Sequence, residues 1–437
     1  MEWWLILLIF VGLLLLLLAT GMPVAFSFFT INIIGALLFL GGGIGLKQMM
    51  LSIFNGLTSF TLAPVPLFVF MGEILFHSGM AIRTLDVLDK ILGKIPGRLS
   101  VLTVAGGTIF SNLSGSTMAN TAMLGSVLVP DMTKRGYSKS MTLGPILGTG
   151  GIAMIIPPSA LAIVLGTLAH ISIGELLLAG ILPGLLMAVL YFSYIIVRCV
   201  RNPSLAPSYE IQIIPLGEKI RDFAKYVLPL TSIVFLVVGL IFLGVATPTE
   251  SAAMGAAGSM GLAALYGALN LRVMKLAVKG TLKITGMTLL IIAGSITFSQ
   301  ILAFTGATRG MVQFVVDLPF SPIVILICMQ LILILLGAFM EQISMMMVSV
   351  PIFMPVVHAL GFNPIWFGIL MLLNLEIAFT SPPFGLLLFV MKGVSPPGTT
   401  MEDIYKAALP FIVCDIVVIV LIMLIPGIAL WFPGLMR

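Results

Sequence analysis

The sequence is short of charge. Of 437 residues, 21 are Lys or Arg and 16 are Asp or Glu, 8% of the chain, against roughly 25% for an average soluble domain, so water is not its main solvent. Cysteine is scarce as well. Cys199, Cys328 and Cys414 stand far apart, without a C-x-x-C pair or a Cys/His cluster; that argues against zinc, haem and dithiol chemistry and leaves them as small apolar packing residues. His77, His170 and His358 fall near the ends of apolar stretches and form no motif. Neither G-x-x-x-x-G-K-[ST] nor H-E-x-x-H occurs, no Ser/His/Asp grouping is apparent, and no polar segment is large enough for a nucleotide-binding domain. An ATPase or a hydrolase is therefore not expected in this chain.

What the sequence has instead is hydrocarbon, with 60% of residues hydrophobic. A spanning helix needs about 20 mostly apolar residues, and roughly ten such stretches follow one another, with several shorter ones. The first, over residues 3–19, lacks the basic start and the small-residue cleavage site of a signal peptide and is read as a retained span. The expected fold class is an all-α polytopic membrane protein.

The net charge of +5 is distributed unevenly. Basic residues cluster at Arg83–Arg98, Lys134–Lys139, Arg198–Lys225, Arg272–Lys283 and Lys392–Lys406, and the positive-inside rule puts all of these in the cytoplasm. That walk leaves Lys47, Arg309 and Arg437 outside, with the N-terminus. It closes only if residues 100–130 enter and return as a re-entrant hairpin, whose middle, SNLSGST at 111–117, is too polar to face lipid.

The chain also matches itself at an offset of 225 residues: Pro23 with Pro248, Pro130 with Pro355, Gly136 with Gly361, and Pro157-Pro158 with Pro382-Pro383. The expectation is a first repeat over 1–200, a cytoplasmic linker over 201–226 and a second repeat over 227–437. Each repeat carries a hairpin (about 100–130 and 321–356) and a broken helix (about 140–168 and 364–391). Because the basic residues put the first hairpin's ends inside and the second's outside, the repeats are inverted, as in many secondary transporters.

Two prolines in succession remove a donor and clash with the preceding turn, so both spans should break, at Pro157-Pro158 and at Pro382-Pro383. Freed carbonyls at Ile155, Ile156, Thr380 and Ser381 suit a cation, while the N-terminus of the next half-helix suits an anion. Sodium is accordingly expected near oxygens of Ser111, Asn112, Ser114, Gly115, Gly148, Ile156, Gly337, Glu341 and Thr380. The carried solute is expected near Ser114, Ser116, Thr117, Thr149, Ser159, Asn374 and Ser381. Glu73, Glu341, Glu376 and Asp415 are carboxylates in apolar surroundings and hence functional candidates. Glu341 ranks first because it aligns with Ser116 beside a small-residue turn; Glu73 and Asp415 read equally well as members of buried pairs.

Three stretches then carry a likeness to a known family: SNLSGSTMANTAMLGSVLVPDMTKRGY, IIPPSALAIVLGTLAHISIGELLLAGILPG, and PIFMPVVHALGFNPIWFGILMLLNLEIAFTSPPFGLLLFV. The chain resembles, over essentially its whole length, the large membrane subunit of tripartite ATP-independent periplasmic transporters, within the ion-transporter superfamily. The resemblance implies an elevator, in which a transport domain holding both hairpins slides against a scaffold and carries a small organic anion, carboxylate or sulfonate, with Na+ into the cytoplasm. Ser114, Ser116, Thr149, Thr380 and Ser381 would line the sites. It also implies a small four-helix membrane subunit, here expected as a separate chain, and a periplasmic substrate-binding protein, all at a bacterial inner membrane. The amphipathic stretches 81–98 and 308–320 would link moving and fixed parts. Other readings are a stand-alone dicarboxylate or citrate symporter of the same superfamily and, more distantly, a channel or membrane enzyme.

Overall fold

The computed structural model describes residues 2–114, 117–207, 215–337, 340–382 and 385–436, without the side chains of residues 81 and 111–114. Every regular element among the described residues is helical, as expected where hydrocarbon offers the backbone no partners. α1 (Trp3–Ala19), α2 (Val24–Phe39) and α3 (Gly43–Leu57) lead into α4 (Pro64–His77) and the short amphipathic α5 (Met80–Ile91). A helical hairpin follows, α6 (Arg98–Ser114) and α7 (Thr117–Lys134), then a broken pair, α8 (Lys139–Ile152) and α9 (Ala160–Leu168). Next come α10 (Ile173–Ala179), α11 (Ile181–Arg201) and, in the connecting segment, α12 (Leu216–Asp222).

The remaining chain runs through α13 (Leu228–Phe242), α14 (Pro248–Leu265), the 34-residue α15 (Leu271–Phe304) and the short α16 (Ala307–Val316). A second hairpin, α17 (Pro322–Gly337) and α18 (Gln342–Ala359), precedes a second broken pair, α19 (Pro364–Thr380) and α20 (Leu386–Val394). α21 (Met401–Leu424) and α22 (Gly427–Leu435) complete it. Among the described residues six segments are, by length and composition, long and apolar enough to cross a membrane, and five shorter apolar helices of 10–17 residues accompany them.

The boundaries have local causes. Asn270 caps α15, accepting from Val273 N at 2.9 Å, and Asn363 caps α19, accepting from Ile365 N at 2.9 Å just before Pro364. Thr247 with Glu250 and Thr400 with Asp403 form reciprocal capping boxes at α14 and α21. Both hairpins end on a glycine with left-handed backbone, Gly136 (φ 77°) after α7 and Gly361 (φ 73°) after α18, where any other residue would be strained.

The two helices that precede the breaks lie deepest. Every residue of α8 from Met141 to Ile152 is buried, and so is every residue of α19 from Ile365 to Thr380; helices apolar all round belong inside a bundle. α8 packs on α6, α7 and α21, and α19 on α17, α18 and α21. On the other side, α15 lies against α2, α3 and α4, with a smaller core where Phe28 meets Phe298 edge-on at 5.2 Å. Phe235 and Leu271, 75% and 90% exposed, belong to outer surfaces that lipid would cover.

Polar ties hold the ends. Arg98 pairs with Asp89 at 3.0 Å, Lys90 with Asp222 at 3.1 Å, and Lys139 with Asp403 at 2.7 Å. Burial pushes the Asp89 carboxyl up, and the Arg98 guanidinium pulls it back. Of the cysteines only Cys199 is buried; Cys328 is exposed on α17 and Cys414 is intermediate, so the packing role holds for Cys199.

Candidate translocation site

The chain between α8 and α9 and that between α19 and α20 are where the broken pairs interrupt. In the first break Ser159 is the N-cap of α9: its hydroxyl accepts from Ala162 N at 3.2 Å and donates to Met154 O at 2.6 Å. Pro157-Pro158 is a cis bond. In the second break the Ser381 carbonyl accepts from Gly385 N at 2.9 Å. Some of the carbonyls that two prolines free are thus taken up locally.

A cavity of about 380 Å³ joins these parts, within the size range of small-ligand pockets. One side is made by the start of α7 (Thr117, Met118), the first break and the start of α9 (Met154, Ser159, Ala160), and the start of α18 (Glu341, Gln342). The facing wall is α4, through Glu73, and α15, through Gly280, Lys283, Met287 and Thr288. Gln342 Nε2 reaches Met154 Sδ at 2.8 Å, so the second hairpin touches the first break. Glu341, the N-cap of α18, accepts from Ser344 Oγ at 2.9 Å. Gly280 lacks a Cβ where the Glu73 carboxyl packs against α15, and Glu73 pairs with His77 at 3.1 Å.

Thr117, Ser159 and Glu341, three of the expected residues, line this one cavity. Other expected residues face elsewhere. Thr149 is buried in α8, donates to Pro145 O and packs its methyl on Gly107. Asn374 is buried in α19 and donates to Gln330 of α17 and to Leu370 O. Gly148 lies under the Phe411 ring, Ile156 packs on Gly184, and Gly337 fits against Ala378. Thr380 donates to Glu376 O and Ile377 O, both at 3.3 Å, and Ser381 caps α19. The side chains of Ser111, Asn112 and Ser114 and the whole of Gly115, Ser116 and Pro383 lie outside the described residues; Pro382 sits in the second break.

Two features were not singled out from sequence. Lys283 had been absorbed into the cytoplasmic basic stretch, yet it lines the cavity. Gln342 had no motif to mark it; only its place after Glu341 at the hairpin turn was a signal. Two further carboxylates, Glu376 and Asp415, are buried. Asp415 accepts from Tyr191, and Glu376 packs on Gly151 with neither oxygen hydrogen-bonded among the described residues.

A family described as tripartite ATP-independent periplasmic transporter, DctM component, matches residues 11–428. The chain belongs to this family. It is similar to the C4-dicarboxylate TRAP transporter large permease protein DctM of Pseudomonas aeruginosa, 30% identical over 89% of this chain and 90% of that one. It is also similar to the ectoine TRAP transporter large permease protein TeaC of Halomonas elongata, 31% identical over 97% of each. Among solved structures the YdaH transporter of Alcanivorax borkumensis superposes with a TM-score of 0.64 at 13% identity, covering 89% of this chain and 90% of that one, which is a likeness of fold. This DctM-family chain is accordingly a multi-pass membrane transporter component and not an enzyme.

Proposed function

We propose that the protein carries a small organic anion, a carboxylate or sulfonate, across the bacterial inner membrane, coupled to Na+ and moved by an elevator. The observation that supports this most is the convergence of three helix N-termini, those of α7, α9 and α18, on one cavity. Each directs the positive end of a helix dipole at the same space, which favours an anion. Sodium, as the co-transported solute, would draw on Glu341 and the carbonyls at the hairpin turns and breaks.

In this reading the two hairpins and two broken pairs form the moving part, from repeats over 1–200 and 227–437, and α4 and α15 belong to the fixed wall. The relatives act on a C4-dicarboxylate and on ectoine by their names, so the same framework accommodates different solutes. As the large component, the chain would work with a separate small four-helix membrane subunit and a periplasmic binding protein. The test is co-reconstitution in proteoliposomes with and without each partner, using succinate, isethionate, ectoine and N-acetylneuraminate. Uptake of one solute that requires both partners is expected; full uptake by this chain alone would replace the tripartite reading with that of a stand-alone symporter.

A further inference from the structure

We propose that Lys283 is the anion contact of the cavity, holding the carboxylate or sulfonate of the carried solute against the α15 wall; this rests on the transport reading above. Lys283 is the one basic residue among those lining the cavity. It is exposed and sits about three turns into α15, at the end of the basic row Arg272, Lys275 and Lys279.

The charges around it are already disposed of. Glu73, on the same wall, is turned to His77 at 3.1 Å, and Glu341, across the cavity, accepts from Ser344 at 2.9 Å. Among the described residues Lys283 forms no ion pair. Lys283 therefore borders a space toward which three helix dipoles point their positive ends. An anion held there gains a charge-assisted contact with Lys283 on one side and the positive helix-dipole ends on the other.

The location adds a consequence. Lys283 belongs to α15 and not to either hairpin, so in an elevator the solute meets it only when the moving part stands opposite this stretch of α15. Lys283 thus favours the loaded carrier in this one position. Lys279, one turn earlier and exposed like Lys283, does not line the cavity and serves as the control.

The experiment measures proteoliposome uptake of whichever of succinate, isethionate, ectoine and N-acetylneuraminate the wild-type complex carries, for Lys283→Gln, Lys283→Arg and Lys279→Gln. Expected is a KM raised about tenfold or more in Lys283→Gln, as for loss of a charge-assisted contact. Lys283→Arg should recover most of it, Lys279→Gln should resemble wild type, and the sodium dependence should not change. An unchanged KM in Lys283→Gln, with wild-type uptake intact, overturns this inference and leaves the transport reading standing. Wild-type complex that carries none of the four solutes overturns both. Should Lys283→Gln not fold, Lys283→Cys with the three native cysteines replaced gives the same answer. Restoration of uptake by a thiol reagent that adds an aminoethyl group, and not by a neutral one, supports the assignment; equal effects of the two reagents overturn it.

Discussion

At the scale of single residues, the close approach of Gly151 and Glu376 is the most demanding contact in the buried centre. A Cβ at position 151 would fall on the Glu376 carboxyl, and overpacking of this kind costs about 1–3 kcal/mol. Gly151→Ala should lower the unfolding temperature in detergent, and adding Glu376→Ala should return part of the loss; equal stability of Gly151→Ala and wild type would contradict the packing. Ser159→Ala should cost about 1 kcal/mol, the usual worth of an N-cap, because that hydroxyl accepts from Ala162 N and donates to Met154 O. Thermal unfolding checks it, and a variant as stable as wild type would show the cap to be dispensable. Residue roles were the least legible part of the sequence. Asn374 and Thr149 are polar residues in apolar helices, as solute ligands would be, but Asn374 is turned to Gln330 and Thr149 donates within its own helix. Which face of a helix meets a cavity depends on tertiary packing, and α8 and α19 are buried all round, so no polar stripe could reveal it. Lys283 was hidden for the opposite reason: its charge already had an explanation in membrane topology.

At the scale of elements, sequence told far more. Prolines in register marked both breaks, because steric and hydrogen-bonding rules act locally, and the helices stop at Ile152 and Thr380, a few residues before the proline pairs or directly beside them. The amphipathic stretch after α4 and its counterpart after α15 appear as α5 and α16, each entered through a left-handed glycine, Gly79 and Gly306. Gly136 and Gly361 provide the matching element test. Replacing either by Ala imposes a left-handed Cβ residue costing about 1–2 kcal/mol, so each should lower the unfolding temperature, whereas Gly217→Ala, where nothing lies near the new methyl and φ is not left-handed, should not. Equal effects at all three positions would show that backbone geometry is not the cause.

At the scale of the whole molecule, the distribution of basic residues and the repeated motifs lead to the expectation of inverted repeats and of a particular orientation, which a labelling experiment tests. With native cysteines replaced, single cysteines at Lys47 and Arg309 should react with a membrane-impermeant maleimide from the periplasmic side of intact spheroplasts, and cysteines at Lys134 and Lys219 only after lysis. The reverse pattern would invert the topology. The central claim is that a solute gradient is built at the expense of a sodium gradient, and it is tested most directly by solute accumulation in proteoliposomes holding the full complex. The account predicts uptake above the external concentration under an inward sodium gradient, abolished when a sodium ionophore collapses that gradient. Equilibration to the same level with or without sodium would contradict coupled transport and make the cavity part of a passive pore.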